Sequence, residues 1–262
     1  MRNHPDPRAM RSLTVAAVAG AVLLAGCSGD AGDGGSEPTA SGPGTGTGTS
    51  STGPSPTAAP TTSGPSVGDV YRDARTAALS AESGHAVGTV TSDGTKLRID
   101  LEGQANGSNQ TVFITTPEGG VAEVLTVGND YWVGGDEAHW ADITGNAKAA
   151  KALVGKYAAV TKSDATELGS FTLRSILTDA FAQPDLAALE SDTRAAAETE
   201  VDGRPAYLLG AKGGTRMWVA ADGSGALLRY VGPKREPADL TFSDWGRATT
   251  FTQPPPDRVV ES

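Results

Sequence analysis

Thirty-nine consecutive residues of this chain, 28 to 66, contain no large apolar side chain. They are Gly, Ser, Thr, Pro and Ala almost throughout, with Asp30, Asp33 and Glu37 as the charges. Such a stretch cannot bury enough apolar surface to offset the entropy of ordering it, so a disordered tether is expected. As a flexible coil it would span on the order of 35 Å. Whatever folds must therefore lie in residues 67–262. That length suits one domain with its own hydrophobic core and no need of disulfide staples.

The segment before the tether has a different logic. Arg2, Arg8 and Arg11 are followed by an uncharged apolar run, Leu13 to Ala25, and then by Gly26 and Cys27. The run is shorter than the roughly 20 residues needed to cross a bilayer. A basic, then apolar, then small-residue order is that of a secretory signal. Leu24-Ala25-Gly26-Cys27 resembles a bacterial lipobox. The resemblance implies that residues 1–26 are removed and that the Cys27 thiol carries a diacylglyceryl group. The expected domain division is then a signal at 1–26, a lipidated Cys27 with its tether at 27–66, and a folded domain at 67–262. The expected location is the extracytoplasmic face of the cell membrane, with the lipid on Cys27 as the anchor. Cys27 is the sole cysteine, so no internal disulfide is available.

Charge narrows the partners. The whole chain has a formal net charge of −10. Nucleic-acid binding needs phosphate neutralisation by Lys and Arg, so it is not expected. No basic cluster stands out against this balance, so electrostatic docking on anionic lipid is not expected either, and attachment should come from the lipid on Cys27.

Within the domain, Ser66 and Asp69 mark the start of a helix over 67–82, with Val67, Val70, Ala74, Ala77 and Ala78 as its apolar stripe. Strands are expected at 85–91 and 95–102 around the Asp93-Gly94 turn, then at 111–115, 121–127, 131–133 and 138–140. Leu97, Ile99 and Leu101 alternate with charged residues, which gives that strand one buried face. Helices are expected at 146–154 and 170–182, the second ended by Pro184. Lys156 to Val160 reads as a short extended piece. Further strands are expected at 195–201, 205–210, 215–220, 226–231 and 239–245. Pro254-Pro255-Pro256 excludes a helix or a central strand there. A helix, a meander, one or two helices and a second meander point to an α+β fold. The expected form is a curved antiparallel sheet, an incomplete β-barrel, with helices covering its concave face.

The order of several stretches resembles the LolA/LppX-type lipoprotein family. They include Ser83-Gly84-His85-Ala86-Val87-Gly88-Thr89-Val90, Asp130-Tyr131-Trp132-Val133-Gly134-Gly135, Val201-Asp202-Gly203-Arg204-Pro205-Ala206-Tyr207, Met217-Trp218-Val219-Ala220 and Leu240-Thr241-Phe242-Ser243-Asp244-Trp245. The resemblance spans nearly all of 67–262 and implies an apolar space between sheet and helices that can hold acyl chains. On that basis the expected ligand contacts are Leu173, Ile176, Leu177 and Phe181 on the helix and Leu97, Ile99, Leu101 and Val133 on the sheet, in apolar contact alone.

Catalysis finds little footing. His85 and His139 fall in separate elements with no ligand-like spacing and no cysteine partner, so no metal site is expected. There is no Gly-x-Ser-x-Gly elbow and no phosphate-binding glycine loop. A non-enzymatic monomer with no cofactor is expected. Two functions remain open: a membrane-anchored carrier of a lipid or other hydrophobic molecule, and a surface interaction module with a solid core.

Overall fold

The computed structural model describes residues 64–92, 94–161, 172–247 and 249–260. The expected signal, Cys27 and the tether up to residue 63 lie outside the described residues.

Helix α1 (Val67–Ser80) starts where its cap predicts. Ser66 Oγ accepts the Asp69 amide at 3.1 Å, and Asp69 sits in the first turn, where the helix dipole favours a carboxylate. Val67, Val70, Tyr71, Ala74 and Ala78 form its buried stripe, with Tyr71 where the sequence pattern suggested Ala77. The helix stops at Ser80, short of residue 82. The Arg174 guanidinium donates to the Leu79 and Ala81 carbonyls, which the end of the helix leaves without intrahelical partners.

Five strands then run as a meander: β1 (Ser83–Ser92), β2 (Thr95–Gln104), β3 (Asn109–Thr115), β4 (Val121–Val127) and β5 (Asp130–Gly135). Helices α2 (Glu137–Thr144) and α3 (Ala147–Leu153) lead to β6 (Tyr157–Val160), and α4 (Leu173–Phe181) follows. The second meander is β7 (Ala197–Val201), β8 (Arg204–Gly210), β9 (Arg216–Ala220), β10 (Leu227–Val231) and β11 (Ala238–Ser243), and the two-residue β12 (Val259–Val260) comes last. All belong to one sheet of 12 strands, in the order β12-β6-β5-β4-β3-β2-β1-β11-β10-β9-β8-β7. The sheet is curved and unclosed, ending at β12 and β7. The two meanders meet where β1 pairs with β11.

Two expectations are corrected, and a third gains a detail. Residues 138–140 are helical, inside α2, because Asp136 caps that helix: its carboxylate accepts the His139 amide at 2.8 Å. A capped turn outweighs the weak strand preference of three residues. Pro184 does follow α4, but it opens a 3-10 turn, Pro184–Leu189, since its fixed φ suits a first helical position. The sheet is also not wholly antiparallel, because β12 runs parallel to β6. The tail reaches that edge by stepping across strand ends. The Thr249 amide donates to Glu102, Phe251 exchanges two backbone bonds with the Asn109 amide group, and Gln253 donates to Asp130. The prolines sit at the outer edge, where a missing N–H costs least.

The register sorts side chains between faces. Phe242, Ala86, Leu101, Val112, Val124 and Val133 lie directly opposite one another across six strands and share the concave face. Thr241, Val87, Asp100, Phe113, Glu123 and Gly134 form the neighbouring row on the convex face. Helix α4 packs on β1 and β2, and α1 packs on β8 and β10, both against the concave side.

Candidate functional site

Six of the eight expected contact residues come together. Ile99, Leu101, Leu173 and Leu177 are 0% exposed, Phe181 is 5% exposed, and Ile176 packs half-buried at their margin. Helix α4 is set in place by Thr172, whose hydroxyl accepts the Ser175 amide at 3.0 Å, and by the Arg174 amide, which donates to Ala105. Tyr71 closes the other side, its ring tilted on Phe181 with centroids 5.8 Å apart. This group is a close-packed interior. Deleting its methylenes would cost stability, about 2–5 kcal/mol for a Leu→Ala change. Leu97 stands apart, half-buried near the β1–β2 hairpin. Val133 lies on the same concave face, three strands beyond Leu101, and is also half-buried.

The concave face therefore has two regions. Beneath α1 and α4 it is dry and packed. Across β3 to β6 Val112 and Val124 are still buried, while Ile114, Ala122, Val133 and Ala158 are half-buried. The apolar character of the face runs on past α1 and α4, to where α2 meets β4 and β5.

Two open clefts lie elsewhere. The larger, about 390 Å³, is polar and sits where the ends of α1, β2 and the tail meet; Glu82, Gln104, Asn106, Arg174, Thr249 and Thr250 line it. The second, about 200 Å³, opens on the convex face beside Phe113, Glu123, Gly134, Tyr157 and Arg258. Here the Tyr157 phenol donates to Glu123 at 2.9 Å, and burial with that bond pushes its pKa up to about 12. None of the eight expected contacts lines either cleft. The polar cleft carries no sequence motif; amides and hydroxyls scattered from residue 82 to 250 give no local pattern to read.

The two histidines take different roles. His85 Nε2 lies 2.7 Å from Asp100 and Nδ1 lies 3.3 Å from Ser243 Oγ. Ser243 instead donates to Asp244 at 2.8 Å, and neither cleft adjoins the group, so it reads as a strand-to-strand tie. His139 packs its ring on Gly135, and burial pulls its pKa down. A pKa lower in the folded state means the unfolded chain binds the extra proton. The His139 contribution is therefore present above its ordinary pKa of about 6.5 and is lost as pH falls below it. Between about pH 7 and about pH 5 a His139→Phe variant should lose less melting temperature than the wild type. Equal slopes would mean that His139 charges without disturbing the fold.

Among the described residues no group of three or more His, Cys, Asp or Glu side chains could hold a metal ion, and no helix is long and apolar enough to cross a membrane. No protein-family model matches the chain, and no curated protein matches it. Among solved structures it is similar to LprF from Mycobacterium bovis, at 17% identity and a TM-score of 0.46, over 73% of this chain and 99% of that one. It is also similar to the Mycobacterium tuberculosis lipoprotein LppX, at 17% identity and a TM-score of 0.39, over 71% and 98%. A third likeness is to MucB, at 16% identity and a TM-score of 0.32, over 72% of this chain and 60% of that one. These are distant likenesses in the course of the chain. The fold itself is read from the strand order above.

Proposed function

We propose that this protein is a membrane-anchored extracytoplasmic lipoprotein that carries a hydrophobic molecule against the concave face of its sheet. The observation that supports this most is the apolar row that runs on past α4 to Val133 and Ala158, leaving half-buried surface on β3 to β6. An acyl chain laid there would gain about 0.8 kcal/mol for each methylene removed from water. The packed group around Leu101 and Leu177 would act as the wall of that surface, and Val133 would be the residue in contact with ligand.

The chain of residues 28–262, freed of lipid, should take up a fluorescent fatty-acid probe saturably. Val133→Asp, which sets a carboxylate in the apolar surface, should weaken uptake at least tenfold, or 1.4 kcal/mol, with the melting temperature as the control for folding. No saturable uptake, together with no bound lipid in native mass spectra of protein from its own host, would sink the reading. The second reading, an interaction module with a solid core, is favoured by the 0% exposure of Ile99, Leu101, Leu173 and Leu177. That same null result would leave it standing.

A further inference from the structure

The net charge of −10 conceals a local reversal. Between Asp142 and Asp164 the sequence has no carboxylate and four lysines: Lys148, Lys151, Lys156 and Lys162. The first two lie on α3. At helical spacing of three they are neighbours on the helix surface, and both are exposed while Ala150 is buried. Among the described residues neither forms an ion pair. Lys156 follows the helix and donates to the Asp257 carbonyl at 2.6 Å. The carboxylates of the hairpin, Asp136, Glu137 and Asp142, belong to α2 and its cap, and the next along the chain is Asp164.

Exposed apolar side chains gather on the same piece. Among the described residues the large hydrophobics left exposed are Phe113 at 38%, Ile143 at 39% and Val154 at 49%. Ile143 is in the last turn of α2 and Val154 caps α3, so two of the three bracket the lysine-bearing helix. Exposed lysines flanked by exposed aliphatics complement the membrane interface: anionic headgroups meet the ammonium groups, and the aliphatics enter the acyl boundary.

We propose that the α2–α3 hairpin docks on an anionic phospholipid bilayer, with Lys148 and Lys151 on the headgroups and Ile143 and Val154 at the acyl boundary. Helix α2 packs on β4 and β5, so docking sets that end of the sheet nearest the membrane. This surface is independent of ligand uptake. It need bind only weakly, because a tether held at the bilayer keeps the domain within on the order of 35 Å of it.

The test uses residues 28–262, made without the leader and so without lipid, sedimented with vesicles. Binding is expected with phosphatidylglycerol and phosphatidylcholine in equal parts, is weakened by salt, and is absent with phosphatidylcholine alone. Each lysine near the surface is worth about fivefold in affinity, so Lys148→Gln with Lys151→Gln should weaken binding about thirtyfold. Lys212→Gln with Lys234→Gln, the same charge change at two other exposed sites, should leave it unchanged. Ile143→Ser with Val154→Ser should weaken binding and leave its salt dependence in place. Equal binding to neutral vesicles, an equal loss in the control pair, or no vesicle binding would overturn the proposal. Fatty-acid uptake is measured separately, so either reading can fail while the other stands.

Discussion

Cys27→Ser is expected to abolish membrane attachment through lipid, leaving the uncleaved leader as the one stable means of holding the chain. In the wild type the detergent phase should hold the protein, and its N-terminus should carry the added mass of lipid. The variant lacks the thiol that would accept the diacylglyceryl group. It should either keep its leader or appear in the medium without lipid. The effect is large because of what the acyl chains contribute. One chain of about 14 carbons gives marginal, reversible binding, near 10⁴ M⁻¹, whereas two or more anchor stably. Lysine docking through α3 adds tens-fold affinity at most, so the cleaved, unlipidated variant should wash off with salt. Wild-type protein found free in the medium with an unmodified N-terminus would overturn the lipoprotein reading and remove the purpose of the tether.

How far the fold was legible depended on whether the signal was local. Strand β4 was readable to the residue, because Gly119-Gly120 and Asn129-Asp130 frame one apolar run. Helix α1 was readable because its cap and its stripe agree. Helix α2 was missed, although Asp136 is a cap signal, because Ala138-His139-Trp140 offered too short a window to show a helical period. Strand β12 was out of reach, since its partner β6 lies about a hundred residues earlier and nothing in Val259-Val260 specifies it.

The candidate site shows a sharper limit. The faces were right: Leu173, Leu177, Ile99 and Leu101 do meet across the concavity. The same side chains serve a pocket wall and a dry core equally well, so the sequence pattern could not say which of them stay covered. The distinction between covered Leu101 and half-covered Val133 comes from where α4 ends up, which is a tertiary fact. The lysines around α3 were visible in the sequence but vanished in a whole-chain charge balance. A surface is sensed over about 10 Å, not over the whole chain.

Gly88→Ala should cost the domain on the order of 3–5 kcal/mol, a large share of the stability of an ordinary domain. Gly88 sits in β1 at φ +154°, opposite Leu240 of β11. A β-carbon there would lie 2.0 Å from the Asp239 carbonyl oxygen, far inside contact distance. The obstacle is backbone, so no rotamer change relieves it, and the ladder must part or slip. A one-residue slip would turn Leu240 and Phe242 from the concave core to the outer face. The position matters because β1–β11 is the seam where the β2–β6 half meets the β7–β10 half. Gly94→Ala makes the control: it also has positive φ, +78°, but nothing lies within 4 Å of the added methyl, so about 1 kcal/mol is expected. Urea unfolding of both variants separates close approach from backbone preference. If Gly88→Ala cost no more than Gly94→Ala, the two halves would not depend on a tight seam.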